Sequence, residues 1–449
     1  MPLDTLVTGR IATLAGDVGF GWVEALGIRD GRVAFAGSEV ELETRADPHT
    51  QRIALEPDEV GLPGLTDAHL HLAEAALARD RIDLTTASSL AIGLERIGRV
   101  AAERPDADTL EGHGWDVDRW GGWPTADALE RVAPGRRIVV WAHDHHPLWA
   151  SRASHAEAGI GRDTVDPDGG LIRRGPDGEP EGVVLEAATG LVTARVGPPD
   201  LERLATSILA AAREALELGI VACHDPGPFT ADPGLNAAWA AYEQLARRAM
   251  PIRVHVSVRQ DSLPTAVEQG LRSGAPIVGG ADDARIRVGW LKLFADGSLG
   301  SRTAALLDDI EGDPDDALAG ERRRGVWVTS PEELGELART AAEGGIATQI
   351  HAIGDAAVRA ALDVLEASGS HGGLLPRIEH VQLLDPADRG RFAAAGIVAS
   401  VQPVHLRSDA PTARRLWGGR AESIGYPLAS LGTSGAVLAF GTDAPIEPF

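Results

Sequence analysis

The chain of 449 residues has one cysteine, Cys223, which excludes an internal disulfide and a zinc site built from several cysteines. Any bound metal would need histidine, carboxylate or less usual ligands. Basic residues are in deficit, because 42 Lys+Arg face 66 Asp+Glu and the net charge is -24. Nucleic acids and anionic membranes require a basic surface, so we expect neither as a partner.

Long apolar runs are absent as well. No stretch of the sequence reaches the roughly 18 apolar residues that a membrane span requires. The opening residues, MPLDTLVTGRIATLAGD, carry an acid and glycines where a signal peptide has a basic start and an unbroken apolar segment. We therefore expect a cytoplasmic protein.

Lysine is the rarer of the two basic residues, since Lys292 is the one lysine among 42 Lys+Arg. Asparagine, tyrosine and methionine are rare as well. This depletion indicates a codon bias that has turned interchangeable lysines into arginine. We infer that position 292 needs a property that the permanently charged guanidinium lacks.

The predicted secondary-structure pattern changes near residue 60. Residues 1–59 contain short strands with turns, including the hairpin signal Asp-Gly in IRDGRV, and are predicted to form a small β-sandwich module. From residue 60 onward, apolar strands alternate with alanine-rich helical patterns, as in a parallel sheet covered by helices. Eight such strands predict an α/β fold, a (β/α)8 TIM barrel. They are VGLPGLTD (60–67), GIVACHD (219–225), IRVHVSV (252–258), IRVGWLKLF (286–294), IATQIHA (346–352), RIEHV (377–381), IVASVQP (397–403) and AVLAFGTD (436–443).

The first two predicted strands are much farther apart than one helical connection requires, because one ends near residue 67 and the next begins near residue 219. Residues 74–198, rich in Trp, Pro, Gly and His, are therefore predicted to be an inserted subdomain that covers the substrate site. Residues 60–73 and 199–449 are predicted to form the barrel.

Reactive side chains gather at the carboxyl ends of the predicted strands, the rim where barrel enzymes hold their active sites. One histidine at a strand end usually makes an ordinary hydrogen bond. Four histidines and an aspartate, converging from several strands, favour a divalent-metal site. The candidates are His69, His71, His351, His380 and Asp443, with Lys292 on strand four.

An ammonium group beside two cations would be repelled, and it has no lone pair to donate. A desolvated amine near positive charge is pushed toward its neutral form, which can capture carbon dioxide and become a carbamate. We therefore hypothesise that Lys292 is carboxylated and bridges two metals. The alternative is a structural lysine in an ion pair.

Six stretches resemble the amidohydrolase superfamily, in particular its YtcJ-like branch, which includes N-substituted formamide deformylases. They are GLPGLTDAHLHL, LKLFADGSLGSRTAAL, QIHAIGDAAV, RIEHVQLLDP, SVQPVH and AFGTDAPIEP. The resemblance implies that His69, His71 and Asp443 hold one metal, that His351 and His380 hold a second, and that carboxylated Lys292 bridges them.

The resemblance also implies a hydrolase that cleaves an amide-like, non-peptide C–N bond of a small molecule through a metal-bridging hydroxide. Asp443 would accept the proton of the attacking water and pass it to the leaving amine. Zinc is the expected metal for both divalent ions, with iron, manganese and cobalt as alternatives. By the same analogy the protein would be a homodimer.

Three further residues are predicted to contact substrate. In the Asp-His-His segment at 144–146, which is similar to a DGH segment of the family, His146 is expected to reach the substrate; the alternative is a surface histidine in a loop. Arg302 is a candidate clamp for a substrate oxygen. Trp115 and its neighbours form either an acyl or aryl pocket or the core of the insertion.

Members of that family continue for some tens of residues beyond the strand-eight aspartate, so the last barrel helix and the strands that complete the sandwich are expected to be missing here. That expectation keeps a second interpretation open, a catalytically impaired or truncated member that acts as a binding protein. A third is a Schiff-base lyase that uses Lys292.

Overall fold

The computed structural model describes residues 2–15, 19–79, 81–197, 200–227, 237–248, 250–279, 284–310, 323–368 and 373–447. The chain divides into two compact units, Met1–Leu65 and Thr66–Phe449. Among the described helices, none combines the length and the apolar character needed to cross a membrane.

The described part of the first unit forms one four-stranded sheet and one short helix. The elements are β1 (Thr5–Ala12), β2 (Trp22–Arg29), β3 (Arg32–Gly37), α1 (Glu39–Glu43) and β4 (Gln51–Ala54). The strand order is β3-β2-β1-β4, with β1 and β4 parallel and the other pairs antiparallel.

The turn between β2 and β3 confirms the predicted hairpin. Asp30 and Gly31 have φ angles of 50° and 70°, the positive values that a type I′ turn requires. The second layer of the expected sandwich stays a prediction.

The second unit begins with one barrel strand and one helix, which are followed by the insertion. The elements are β5 (Leu65–Asp67), α2 (Leu72–Ala78), β6 (Ile82–Asp83), α3 (Leu90–Glu103), β7 (Thr109–Trp115), α4 (Val117–Trp120), α5 (Ala126–Val132), β8 (Arg137–Ala142), β9 (Pro147–Ala150), α6 (Arg152–Ala158), β10 (Gly170–Arg174), β11 (Pro180–Glu186) and α7 (Thr189–Thr193). The strands from β6 to β11 form a separate sheet in the order β10-β11-β9-β8-β7-β6.

The barrel continues after the insertion with seven described strands and their helices. They are α8 (Leu201–Glu217), β12 (Ile220–Asp225), α9 (Ala237–Ala246), β13 (Arg253–Arg259), α10 (Leu263–Glu268), β14 (Ile286–Phe294), α11 (Pro331–Glu343), β15 (Thr348–Ala352), α12 (Asp355–Ser368), β16 (Arg377–His380), α13 (Arg389–Ala395), β17 (Val398–Val401), α14 (Pro403–Trp417), α15 (Gly419–Ser423), α16 (Leu428–Thr433) and β18 (Leu438–Phe440). The described residues after β18 contain no further helix.

The barrel sheet runs in chain order from β5 through β12 to β18, and every adjacent pair from β12 to β18 is parallel. The amide of Ala68 donates to the carbonyl of Phe440 at 2.9 Å, which links the first strand to the last. The eight predicted strands and the (β/α)8 fold are confirmed.

Helix α2 runs across the predicted start of the insertion at residue 74. Its buried residues Leu72, Ala73 and Ala76 belong to the barrel core, together with the buried face of α8. The predicted end of the insertion, at residues 198 and 199, lies outside the described residues.

A buried carboxylate fixes the loop that follows β14. Asp296 is fully buried and accepts hydrogen bonds from the amides of Ala305 (2.8 Å), Ile353 (3.0 Å) and Gly354 (2.8 Å). These bonds hold the loop against the end of β15. Backbone therefore packs on backbone at Gly354, where an added Cβ would lie 1.9 Å from the carbonyl oxygen of Ala305.

We predict that Gly354→Ala lowers the free energy of unfolding by about 3 kcal/mol, because the methyl group cannot fit without displacing this loop. Gly335→Ala is the matched control, since nothing lies within 4 Å of a Cβ at this position in α11 and alanine favours a helix. Urea denaturation followed by circular dichroism measures both variants. Equal midpoints for Gly354→Ala and wild type would contradict the packing.

Candidate metal centre

The six residues predicted as metal ligands converge at the carboxyl ends of the barrel strands. All of them are at least 93% buried, and all line one cavity of about 140 Å³. One ligand atom from each of His69, His380 and Asp443 lies within 4.8 Å of the other two. The structure thus brings together His69, His71, Lys292, His351, His380 and Asp443.

The two histidines after β5 are oriented by hydrogen bonds at Nδ1. Nδ1 of His69 lies 2.5 Å from Oε2 of Glu379, and Nδ1 of His71 lies 2.9 Å from the carbonyl oxygen of Gly227. Both partners are acceptors, so each ring donates its Nδ1 proton. The two Nε2 atoms lie 3.4 and 3.5 Å from Oδ1 of Asp443.

The space between His69 and Asp443 fits a cation. Nε2 of His69 and Oδ1 of Asp443 are buried, and neither has a hydrogen-bond partner among the described residues. Two ligands about 2.0–2.1 Å from one tetrahedral metal ion are about 3.4 Å apart, which matches their separation. An unpaired buried acceptor costs free energy that a shared cation would recover.

Electrostatics keeps this pair in the ligating state. Burial lowers the pKa of His69 to about 4, so the ring is neutral near neutral pH. Burial alone would raise the pKa of Asp443, but the adjacent imidazoles of His69, His71 and His405 hold it well below its usual range. The carboxylate is therefore ionised.

The histidines of β15 and β16 are oriented in the same way. Nε2 of His351 donates to the carbonyl of Gly297 at 3.0 Å, and Nδ1 of His380 donates to Oε1 of Gln402 at 2.8 Å. Each ring is left with one unprotonated nitrogen, and burial lowers both pKa values well below the usual value. The two ring centres are 4.6 Å apart, so they could share a second cation.

Lys292 lies on β14 with a side chain that is 1% exposed. Burial lowers the pKa of its amine to about 8, although the carboxylates of Glu379 and Asp443 oppose the shift. Its Nζ lies 4.8 Å from the centre of the Phe294 ring. The neutral amine is therefore accessible near neutral pH.

Sequence reasoning missed the residue that holds His69. Glu379 is fully buried, and its carboxylate accepts from Nε of Arg377 at 2.5 Å as well as from His69. Arg377 in turn contacts Oγ of Ser400 at 2.5 Å and Nδ1 of His224 at 2.8 Å. The available signal was the alternation of Arg and Glu in the strand RIEH, which places two charges on one side of a buried strand.

Two of the predicted substrate residues line the cavity. His146 does so with its Nδ1 2.7 Å from Oε2 of Glu186, a residue that the sequence did not single out. Burial opposes the charged ring, but Glu186 raises the pKa of His146 to about 9. Trp115 is fully buried and donates from Nε1 to the carbonyl of Val140 at 2.8 Å; it belongs to the apolar core of the insertion and also lines the cavity.

Arg302 is placed differently from these two. Its guanidinium binds Oδ1 of Asp118 at 3.2 Å and Trp123 lies 5.6 Å away, and Arg302 is not among the residues that line the cavity. Its contact with substrate stays a prediction.

His405 is a second residue to which the sequence alone assigned no role. It lies in the first turn of α14, lines the cavity, and places Nε2 3.5 Å from Oδ2 of Asp443. The motif SVQPVH contains it, but a histidine that follows a strand by several residues gives no strand-end signal.

Comparison with known proteins gives consistent matches along the chain. Residues 59–449 match the model of the amidohydrolase family. The chain is 30% identical over 430 residues to the putative amidohydrolase YtcJ of Bacillus subtilis (strain 168), covering 95% of this chain and 78% of that protein. It is 26% identical over 395 residues to the N-substituted formamide deformylase of Arthrobacter pascens, covering 85% and 69%.

Among solved structures, an uncharacterized metal-dependent hydrolase from Pyrococcus horikoshii OT3 matches with a TM-score of 0.72 and 26% identity, covering 99% of this chain and 83% of that one. The barrel and the sequence motifs thus lead to the same group of proteins. The chain belongs to the amidohydrolase family of hydrolases, as its motifs indicate.

Proposed function

We propose that the protein uses divalent metal ions to hydrolyse a non-peptide C–N bond in a small amide-like substrate. The observation that carries the proposal is the buried pair of Nε2 of His69 and Oδ1 of Asp443, 3.4 Å apart and each without a hydrogen-bond partner in the described part of the chain. Neutral imidazoles with an ionised carboxylate are the donor set that such ions take.

Two ions would be held by different strands. His69, His71 and Asp443 would hold one, and His351 and His380 would hold the other. Bound there, the ions would supply Lewis acidity and lower the pKa of a water molecule. Zinc suits these ligands best, and iron, manganese and cobalt are the alternatives.

Lys292 would join the two halves of the centre as a carbamate. Its neutral amine would add to carbon dioxide and release a proton, which turns the side chain into a carboxylate at the end of a long arm. Guanidinium cannot react in this way, which explains why a chain that otherwise uses arginine retains a lysine here.

Asp443 would move the proton of the reaction. Its Oδ2 would accept a proton from water as the water oxygen bonds to the acyl carbon, and the same oxygen would deliver it to the leaving nitrogen when the C–N bond breaks. The carboxylate is well placed for this because backbone fixes it, with the Asp443 amide donating to the carbonyl of His69 at 2.7 Å.

The choice of a C–N bond is supported by the similarity to an N-substituted formamide deformylase. The cavity agrees with a substrate of this kind, because Trp115 offers it an apolar wall and His146, held by Glu186, offers it a cationic donor. A buried lysine also suits a Schiff-base lyase. That reaction would not use the buried pair of His69 and Asp443, so the pair favours hydrolysis.

We predict that Asp443→Asn lowers kcat by about 10²–10⁴-fold, because the amide cannot accept the proton. Metal content should change little, since the amide oxygen and the two histidines of this ion, His69 and His71, remain. Asp363→Asn, which changes an exposed carboxylate paired with Arg391, is the control and should leave kcat unchanged. Steady-state hydrolysis of N-benzylformamide with elemental analysis measures both; near wild-type turnover in Asp443→Asn would remove this residue from the mechanism.

We also predict that Glu379→Gln weakens zinc binding by about 10–100-fold, because His69 loses the carboxylate that orients it and raises its basicity. Zinc affinity is measured by competition with a chromogenic chelator. Ser400→Ala is the matched control, since it removes another partner of Arg377 without touching His69. Equal affinities in Glu379→Gln and wild type, or equal losses in both variants, would contradict a role for Glu379 at the metal.

A further inference from the structure

Helix α14 turns a polar face toward the cavity. His405, Ser408, Asp409 and Thr412 all line it, and their spacing of three and four residues places them on one side of the helix. His405 is 7% exposed, and its Nε2 has no hydrogen-bond partner among the described residues. A buried polar atom directed at a substrate cavity calls for an explanation.

Hydrogen bonds behind His405 determine which of its nitrogens carries the proton. Oδ2 of Asp409 accepts from the hydroxyl of Tyr426 at 3.1 Å and from Nε2 of Gln382 at 3.3 Å. Because a carboxylate only accepts, the amide of Gln382 must turn its nitrogen toward Asp409. The same nitrogen lies 3.2 Å from Nδ1 of His405 and donates to it.

This arrangement makes Nε2 of His405 a donor. A neutral imidazole that accepts at Nδ1 carries its proton at Nε2. That N–H lies 3.5 Å from Oδ2 of Asp443, too far for a hydrogen bond of ordinary length. The His405 ring is also nearly parallel to the His380 ring, at 13° with centres 6.0 Å apart. The donor therefore lies beside both halves of the candidate metal centre.

We propose that His405 is a further catalytic residue of the hydrolysis and donates a hydrogen bond to the acyl oxygen of the substrate. When the water oxygen bonds to the acyl carbon, the π electrons of the carbonyl move to this oxygen, and the charge strengthens the bond from Nε2. Asp443 takes the proton of the water and His405 keeps its own. Gln382 and Asp409 are positioning residues that fix the tautomer of His405. The inference rests on the proposed function.

Such a donor favours the transition state over the substrate, because a neutral carbonyl oxygen accepts a weaker hydrogen bond than an oxygen with developing negative charge. Removal of one donor of this kind costs about 10²–10³-fold in kcat. His405→Met removes the donor at similar volume. His405→Gln retains an N–H near the position of Nε2.

The experiment follows the steady-state hydrolysis of N-benzylformamide by zinc-loaded protein and compares two constants, the inhibition constant of benzylphosphonate and the KM of the formamide. Benzylphosphonate is a tetrahedral anion that resembles the charged intermediate, and N-benzylformamide is neutral and planar. We expect His405→Met to bind the phosphonate about 10²-fold more weakly while the KM of the formamide changes only a few-fold. His405→Gln should recover most of the loss. Metal content, measured in each sample, should not change.

Two results would overturn the role of His405. One is a His405→Met protein that binds the phosphonate as tightly as wild type, and the other is an equal loss for both probes, which would mean that the ring only shapes the cavity. If wild-type protein holds zinc and hydrolyses N-benzylformamide while either result is obtained, this inference fails and the proposed function stands. A folded wild-type protein without divalent metal would contradict the proposed function itself.

The role of Gln382 as a positioning residue for His405 has a separate test. Gln382→Met removes the donor to Nδ1 and should weaken phosphonate binding, but less than His405→Met does. The double variant should bind no more weakly than His405→Met alone, because both changes act through one hydrogen bond. Fully additive losses would contradict the assignment of Gln382 as a positioning residue.

Discussion

Hydrogen bonds between the ends of β5 and β18 place Asp443 beside His69 and His71 in the candidate metal centre. Ala68 donates to Phe440, Asp443 donates to the carbonyl of His69, and Thr442 donates its hydroxyl to Asp67 at 2.6 Å. Residues that are far apart in sequence therefore lie side by side. Without this link Asp443 would have no fixed relation to the histidines of β5.

Hydrogen bonds to acceptors outside the cavity orient the histidine rings. Each predicted histidine ligand uses one ring nitrogen to bind an acceptor outside the cavity, which is Glu379, Gly227, Gly297 or Gln402. In His69, His351 and His380 the other nitrogen is left as a lone pair, because burial keeps these rings neutral. A centre built in this way needs little rearrangement to bind a cation, since its orientation is established during folding.

The buried pair of Arg377 and Glu379 carries a desolvation cost of several kcal/mol per ion. The cost is offset because the guanidinium also binds Ala68 (2.5 Å), Ser400 and His224. An apolar pair would fill the same interior without that cost. We attribute the charged pair to the task of orienting His69, which no apolar side chain can perform.

The sequence predicted the barrel because each of its strands is a short apolar run, and the prediction for Ile286–Phe294 agrees with the structure at both ends. The strand-end histidines were visible because the carboxyl ends of parallel strands share one rim. The start of the insertion at residue 74 stays a prediction, since the sequence pattern of α2 does not reveal which core its apolar face joins. The roles of Glu379 and His405 could not be predicted, because they depend on contacts with residues that are distant in sequence.

The central claim is a pair of cations bridged by a modified lysine. The most direct measurement is the number of divalent ions per chain, determined by elemental analysis of protein purified without chelator, with bicarbonate present and then withdrawn, beside a Lys292→Arg control. We expect about two ions per chain, and fewer in the control or without bicarbonate. One ion or none in folded wild-type protein, or an unchanged count in Lys292→Arg, would contradict the claim.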